Sequence, residues 1–506
     1  MKSPIKKFQN ILDNIHGLIS IPHHYNQFLN SFYVQRLKNI LQCPTAKYVF
    51  PSVNHSCFEH SLGTYFLSNK LITDLRNRQY DLDINQTLIN TISLCGLFHN
   101  IGTVPYLNSF KSFYKEKYNI DYDQKQKAYD LILDLINSKG IDPECFTNKN
   151  DKENFDLNII KNIFTNNQNN SKFYEKIVFN PKTGIDCDSF DNLKRNIYKY
   201  GNKQFSFDCN ILMNSMYIIN DEIYFNSDKL FSIYDYYNSK YLFTTKYYNH
   251  RVSTAAELMI TDIYKLMDNV TPIKDIIDNN NKFTHFFDSF ILNIKHNEKD
   301  NSNIKKAREI LNNIDKRNLY TWIGDYYFPN DLPFNYLNEF DKFNANILIE
   351  NKDKDDVELK PDDIRIKKEI QTFGPGNGDP FSNLLFYDNE YNIIELKSEN
   401  VSKLLPNRYK SYVIRVFVTN KDEKKIEAAT NALKNYKEIY KGITLLYKNE
   451  QKSENKEILF NKSYNEIFKN NKSNINKTSK LGKKRNSQKG YNDFHEQLSK
   501  NKIKFK

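Results

Sequence analysis

Two histidines and a group of carboxylates carry the residue types that could do chemistry in this chain. His99 and Asn100 close the apolar stretch LCGLFHNIGTVPY (94–106), which breaks at Gly102 and Pro105. A His followed by a carboxylate at such a helix end would offer an imidazole nitrogen and a carboxylate oxygen to a divalent ion. The second residue here is an amide, which suits a metal far less well. His60 stands in CFEHSLGTYFLSNKLI, at the start of an amphipathic run, and TGIDCDSFDN sets Asp186, Asp188 and Asp191 after a Gly turn. A buried histidine taken alone is more often a satisfied core residue than a ligand. The case rests on the group.

The elements that must position these residues are mostly helical. Leu88, Ile92, Cys95 and His99 are spaced by four, three and four, so on a helix they share one face and His99 continues a buried stripe. Helical spacing runs from about residue 25 to 290, as in AYDLILDLINSKG, ending at a Gly, and STAAELMITDIYKLM, starting at Ser253. Between 355 and 450 the runs NLLFYD, NIIEL and YVIRVFV read as short strands and DEKKIEAATNALKNY as an amphipathic helix. GPGNGDP (374–380) lacks the Lys and Ser/Thr of a phosphate-cradling loop and reads as a turn.

Composition bounds the function classes. The 506 residues suffice for two or three domains, with 36 Phe and 35 Tyr to fill a core although mean hydropathy is −0.71. Of the net charge of +12, residues 471–506 supply +9, from eleven Lys or Arg against two Asp or Glu. A basic chain here reports a tail more than a basic face on the folded body. The stretch beyond residue 451 is rich in Lys, Asn and Ser and reads as flexible. Six cysteines show no CxxC pair and no disulfide framework, no apolar leader opens the chain, and no run approaches 18 apolar residues. An intracellular location, cytoplasmic or nuclear, with no membrane partner, is expected.

The segments VQRLKNILQ, YVFPSVNHSCFEHSLG, GLFHNIGTVPY, TGIDCDSFDNLKRN, NHRVSTAAELMITD, AREILNNIDKRNLY and ENVSKLLPNRYKSYVIRVFV, in this order, resemble the HD-domain phosphohydrolases. Within them they are similar to the dNTP triphosphohydrolases that carry a SAM and an HD domain, and the expectation is that the SAM domain is absent. The resemblance implies a mainly α HD-domain fold with a smaller C-terminal α/β lobe and a flexible basic tail. The domains expected are an HD-type helical domain over 1–290, a helical connection over 291–354, the lobe over 355–450 and the tail over 451–506.

The resemblance also implies a metal held by His, His-Asp and a distant Asp, which fall on His60, His99, Asn100 and Asp188. Cys57 stands where the family has a phosphate-binding Arg. Thr103 and Asn108 replace active-site histidines, and Gln124 replaces a third by spacing. Ser189 and Asn192 replace a Lys and a Tyr of the substrate pocket, a later His falls near Thr244, and Tyr248 is kept. Of the family's nucleotide sites between subunits, Gln35, Arg36 and Arg317 match, whereas Gln9, Asn30, Lys38 and Thr321 depart. The expectation is therefore a degenerate HD protein without dNTP hydrolysis, holding at most a weak divalent metal (Mn, Fe or Mg). It would bind a nucleotide, nucleic acid through the tail, and copies of itself or a related subunit. The alternatives are a divergent metal-dependent nucleotide phosphohydrolase using His60, His99 and Asp188, and a structural oligomer component.

Overall fold

The computed structural model describes residues 8–137, 156–165, 171–202, 205–328, 337–376, 378–396, 400 and 408–450, with side chains up to residue 439. The tail expected over 451–506 lies outside the described residues, as does Cys145. The fold is mainly α with small sheets. The described residues fall into two compact units, one within 1–330 and 367–419, the other within 331–366 and 420–450.

Three helices of the first unit carry the chemistry-bearing residues: Cys57–Arg78, Gln86–Phe98 and Cys187–Lys199. The Cys57–Arg78 helix starts on a reciprocal cap. Ser56 Oγ accepts from Glu59 N at 3.3 Å, and Ser56 N donates to a Glu59 carboxylate oxygen at 2.7 Å. Asp186 caps the Cys187–Lys199 helix by accepting from Ser189 N at 2.8 Å. Every described position of the Gln86–Phe98 helix after its first residue is buried, so this helix is a central strut rather than a one-faced amphipath.

Two hairpins interrupt the helical pattern. Phe8–Asp13 pairs antiparallel with Gly17–Pro22, from Phe8↔Pro22 to Asp13↔Gly17. Met216–Ile219 pairs with Glu222–Asn226 inside the span read as helical, because Asn220 and Asp221 take positive φ (50° and 64°) and reverse the chain in a two-residue turn. Leu385–Tyr387 then joins Glu222–Asn226 in parallel, and Ile393–Ile394 completes that sheet. A third sheet has the order Thr321–Tyr327, Lys410–Val418, Ile364–Thr372. The helix expected to start at Ser253 spans Arg251–Asp268 instead; its cap is His250, whose Nδ1 accepts from Val252 N at 3.3 Å, an acceptor role open to a neutral imidazole. In the second unit the Glu423–Glu450 helix packs Tyr436 edge-on against Phe343, 4.7 Å between ring centroids, and Lys425 pairs with Asp363 at 2.9 Å.

Cys43, Cys57, Cys95, Cys187 and Cys209 are free thiols. Among the described residues no helix is long and apolar enough to cross a membrane.

Candidate metal centre

His60, His99 and Asp188 converge. Each offers one ligating atom, and these atoms lie within 4.8 Å of one another. His60 Nε2 is 2.9 Å from Asp188 Oδ1, and His99 Nε2 is 3.4 Å from the same oxygen. The imidazole rings meet edge to face, 4.7 Å between centroids.

The other ring nitrogens show which atoms are left to bind. His60 Nδ1 lies 2.7 Å from Asp191 Oδ2, and His99 Nδ1 lies 2.7 Å from Gly96 O. A carbonyl and an ionised carboxylate only accept, so both Nδ1 atoms carry protons and donate. Each Nε2 then presents a lone pair in the neutral ring, aimed toward a carboxylate oxygen. His99 Nε2 is buried and makes no hydrogen bond. Lone pairs converging without a proton between them fit a divalent cation, with Asp191 as the carboxylate that orients and polarises one histidine ligand.

Without a cation the charges adjust. Burial opposes the imidazolium form of His60, but hydrogen bonds to Asp188 and Asp191 and their negative charge outweigh it and raise its pKa to about 9. Burial likewise opposes ionisation of Asp188, yet the hydrogen bond from His60, together with the positive charge of the neighbouring imidazoles, holds its carboxyl well below the usual range. Asp191 is held low too, because the charge of Arg195 and the hydrogen bonds from His16 and His60 overcome its burial.

Asn100 takes a different path from the three ligands. Its Oδ1 accepts from Gln124 Nε2 at 2.9 Å, and its buried Nδ2 has no partner. The pairing depends on Gly102. A Cβ there would sit 2.2 Å from Gln124 O, so only glycine lets the two backbones approach. Asn100 and Gln124, both expected from the sequence to depart from the family pattern, are thus partners in one hydrogen bond.

A cavity of about 580 Å³ opens beside the cluster and is lined by His99, Asn100, Asp188, Cys57, Thr103 and Gln124, among others. The volume suits a ligand of nucleotide size. Cys57 donates to Gln42 Oε1 at 3.1 Å, and burial pushes its thiol well up, so it is a neutral wall rather than a nucleophile. Lys111 and Lys125 also line this cavity, with Lys125 Nζ 3.6 Å from the centroid of the Phe179 ring. A smaller cavity of about 250 Å³ is lined by Asn108, Asn192 and Tyr248, and Tyr248 OH accepts from Asn196 Nδ2 at 2.7 Å.

Gln35, Arg36 and Arg317 line neither of these two cavities. Gln35 Nε2 donates to Leu29 O at 2.6 Å. Arg36 is buried, donates to the carbonyls of Phe286, Ile101 and Thr103, and lies over the Phe283 ring. It braces the loop after His99 from inside. Arg317 is exposed and donates to Tyr48 O at 2.8 Å.

No family model matches the chain. A deoxynucleoside triphosphate triphosphohydrolase SAMHD1 homolog of Dictyostelium discoideum is 26% identical over 423 residues, 83% of this chain and 79% of the relative. SAMHD1 of Homo sapiens is 24% identical over 456 residues, covering 83% and 72%. The chain resembles the HD-domain phosphohydrolases. A putative HD domain-containing protein, L394 of Acanthamoeba polyphaga mimivirus, is 27% identical over 405 residues, 74% of this chain and 84% of the relative.

Sequence reasoning missed the support behind the HD cluster. Asp191 and Arg195 were legible as partners, since Asp188, Asp191 and Arg195 follow at three and four residues along one helix. It also missed Lys240, whose Nζ lies 3.2 Å from Ser189 Oγ and brings an ammonium from another helix to the residue expected to replace a Lys. Nothing in the local sequence around Lys240 signals that contact.

Proposed function

We propose that this protein is a nucleotide-binding member of the HD group that can hold a divalent cation but does not hydrolyse dNTPs. The observation that carries the reading is the Gln124–Asn100 hydrogen bond. It joins two residues that stand for a carboxylate ligand and a proton carrier, and neither amide titrates near neutrality. A bound cation would supply a Lewis acid for phosphate oxygens and a site for an acidified water. His60, His99 and Asp188 would hold it. Cys57 and Thr103 offer no cation and no base, and removing one preorganised phosphate donor typically lowers a rate by about 100- to 1,000-fold. Oligomer formation, a partner subunit, nucleic-acid binding through residues 451–506 and an intracellular location belong to the same reading.

The test is purified protein incubated with the four dNTPs and Mn²⁺. No triphosphate release above background is expected, while a thermal-shift screen registers nucleotide binding. Turnover that disappears in His99→Ala would overturn the reading.

One observation favours a second reading, a divergent metal-dependent phosphohydrolase. The ammonium of Lys240 at Ser189, with Lys111 and Lys125 at the cavity, returns positive charge near a three-ligand cluster. The same assay decides between them.

A further inference from the structure

Asp191 has no free valence. Its Oδ1 lies 2.7 Å from His16 Nε2 and accepts from Arg195 Nη2 at 2.9 Å; its Oδ2 accepts from His60 Nδ1 at 2.7 Å and Arg195 Nε at 2.9 Å. An ionised carboxylate only accepts, so His16 Nε2 carries the proton and donates. Arg195 and the side chains of His16 and His60 are nearly fully buried, and Asp191 is wholly so.

His16 reaches this place from the turn of the N-terminal hairpin, 175 residues earlier in the chain. Asp13 builds that turn. Its Oδ1 accepts from Ile15 N at 2.8 Å and His16 N at 2.9 Å, while its Oδ2 accepts from Arg195 Nη1 at 2.9 Å. One carboxylate thus folds the turn that aims His16 and grips the far end of the arginine. The His16 ring rests on Phe66 of the Cys57–Arg78 helix, 5.1 Å between centroids.

We propose that the N-terminal hairpin is a positioning element for cation binding: His16 and Asp13 fix the rotation of Asp191, which aims His60 Nε2 at the cation. His16 is a positioning residue and touches no ligand. The inference rests on the reading that His60, His99 and Asp188 take a divalent cation. Groups that orient a ligating imidazole typically change metal affinity by about 10- to 100-fold when removed. Loss of His16 leaves Asp191 Oδ1 short of a donor and lets the carboxylate turn toward Arg195. His60 then loses the fixed partner that orients its ring.

The experiment titrates the full-length chain with Mn²⁺, following free Mn²⁺ by electron paramagnetic resonance, beside the unfolding midpoint in EDTA. His16→Ala is expected to weaken Mn²⁺ binding about 10- to 100-fold. His16→Gln, which keeps an N–H donor, is expected to recover a large part of it. Ile19→Ala, at a buried position of the same hairpin with no part in the network, is the structural control. It should lower the midpoint and leave Mn²⁺ affinity unchanged. Parent-like Mn²⁺ affinity in His16→Ala, or an equal loss in Ile19→Ala, overturns the inference while leaving the metal centre standing. A parent chain that takes up no Mn²⁺ overturns the metal reading and the inference together.

Discussion

Gly63→Ala sets two effects of opposite sign against each other. In an open helix interior, alanine is favoured over glycine by about 1 kcal/mol. At position 63 the added Cβ would lie 1.8 Å from Asp191 Oδ1, 2.4 Å from its Cγ and 2.7 Å from Arg195 Nη2. No flexible end is available to give way, because Asp191 is held at once by His16, His60 and the Nε–Nη2 edge of the Arg195 guanidinium. The carboxylate must leave its partners or the two helices must part. Breaking a buried ion pair costs about 3–5 kcal/mol, so after the helix gain is subtracted a net loss of about 2–4 kcal/mol is expected. Denaturant unfolding followed by circular dichroism reads the loss, as a lower midpoint at unchanged slope. Mn²⁺ affinity should fall with it, since His60 loses the group that orients it. A variant as stable as the parent, or more stable, would refute the reasoning, because it would mean that the helices slide apart at no cost and that Asp191 is not fixed.

Other substitutions test separate parts of the structure. Asn100→Asp keeps an acceptor for Gln124 and adds a carboxylate at the cavity, so Mn²⁺ affinity measured by the same titration should rise at least tenfold, since a unit charge about 4 Å from a cation is worth up to roughly 4 kcal/mol at an effective dielectric of about 20. Triphosphate release should stay at background in that variant, because Cys57 and Thr103 are unchanged; turnover from this single change would show a site that lacks only its metal. Asp288 is raised to about 6 by burial, which the Leu41 N–H and the charges of Lys47 and Arg36 only partly offset. Its folded pKa lies above its unfolded one, so the stability it contributes is full below about pH 4 and is lost as pH rises through about 6. Asp288→Asn should therefore stabilise the protein at pH 7.5 by up to about 3 kcal/mol and leave it unchanged at pH 4, as read by urea unfolding at the two pH values.

Much of the centre was legible because it is written in local patterns. The spacing of Leu88, Ile92, Cys95 and His99 marks one helix, and the family order of the segments brings His60 and Asp188 to it. The strands at Leu385–Tyr387 and Lys410–Val418 and the helix from Glu423 follow from runs of two and three-to-four periodicity. The hairpin at 216–226 was readable from Asn220-Asp221 between apolar alternations, but its tyrosines and isoleucines also fit a helix. The contacts of His16 with Asp191 and of Lys240 with Ser189 were not readable. They join segments 175 and 51 residues apart, and neither carries a local spacing. The burial of Arg36 was hidden for the same reason, since three backbone carbonyls satisfy it and carbonyls have no sequence signature.

The presence of His60 and Asp191 is weak evidence for chemistry, because the structure needs them for another reason. Asp191, Arg195 and Asp13 form a buried chain of alternating charge, and removing one member leaves another charge uncompensated. His60 donates into that chain, so truncating it strips a donor from Asp191 whether or not a cation ever binds. Cys57, Thr103 and Gln124, which line the cavity, take no part in that charged chain. His99 belongs to neither class. Its one hydrogen bond, to Gly96 O, ties it to its own helix, and its Nε2 stays buried and unpaired beside a carboxylate oxygen. A fold with no use for that nitrogen would gain by exchanging the ring for an apolar side chain, since an unsatisfied buried acceptor costs about 1–3 kcal/mol. His99 is therefore the residue whose presence scaffolding alone does not explain, and a cation bound between it, His60 and Asp188 would satisfy all three lone pairs at once.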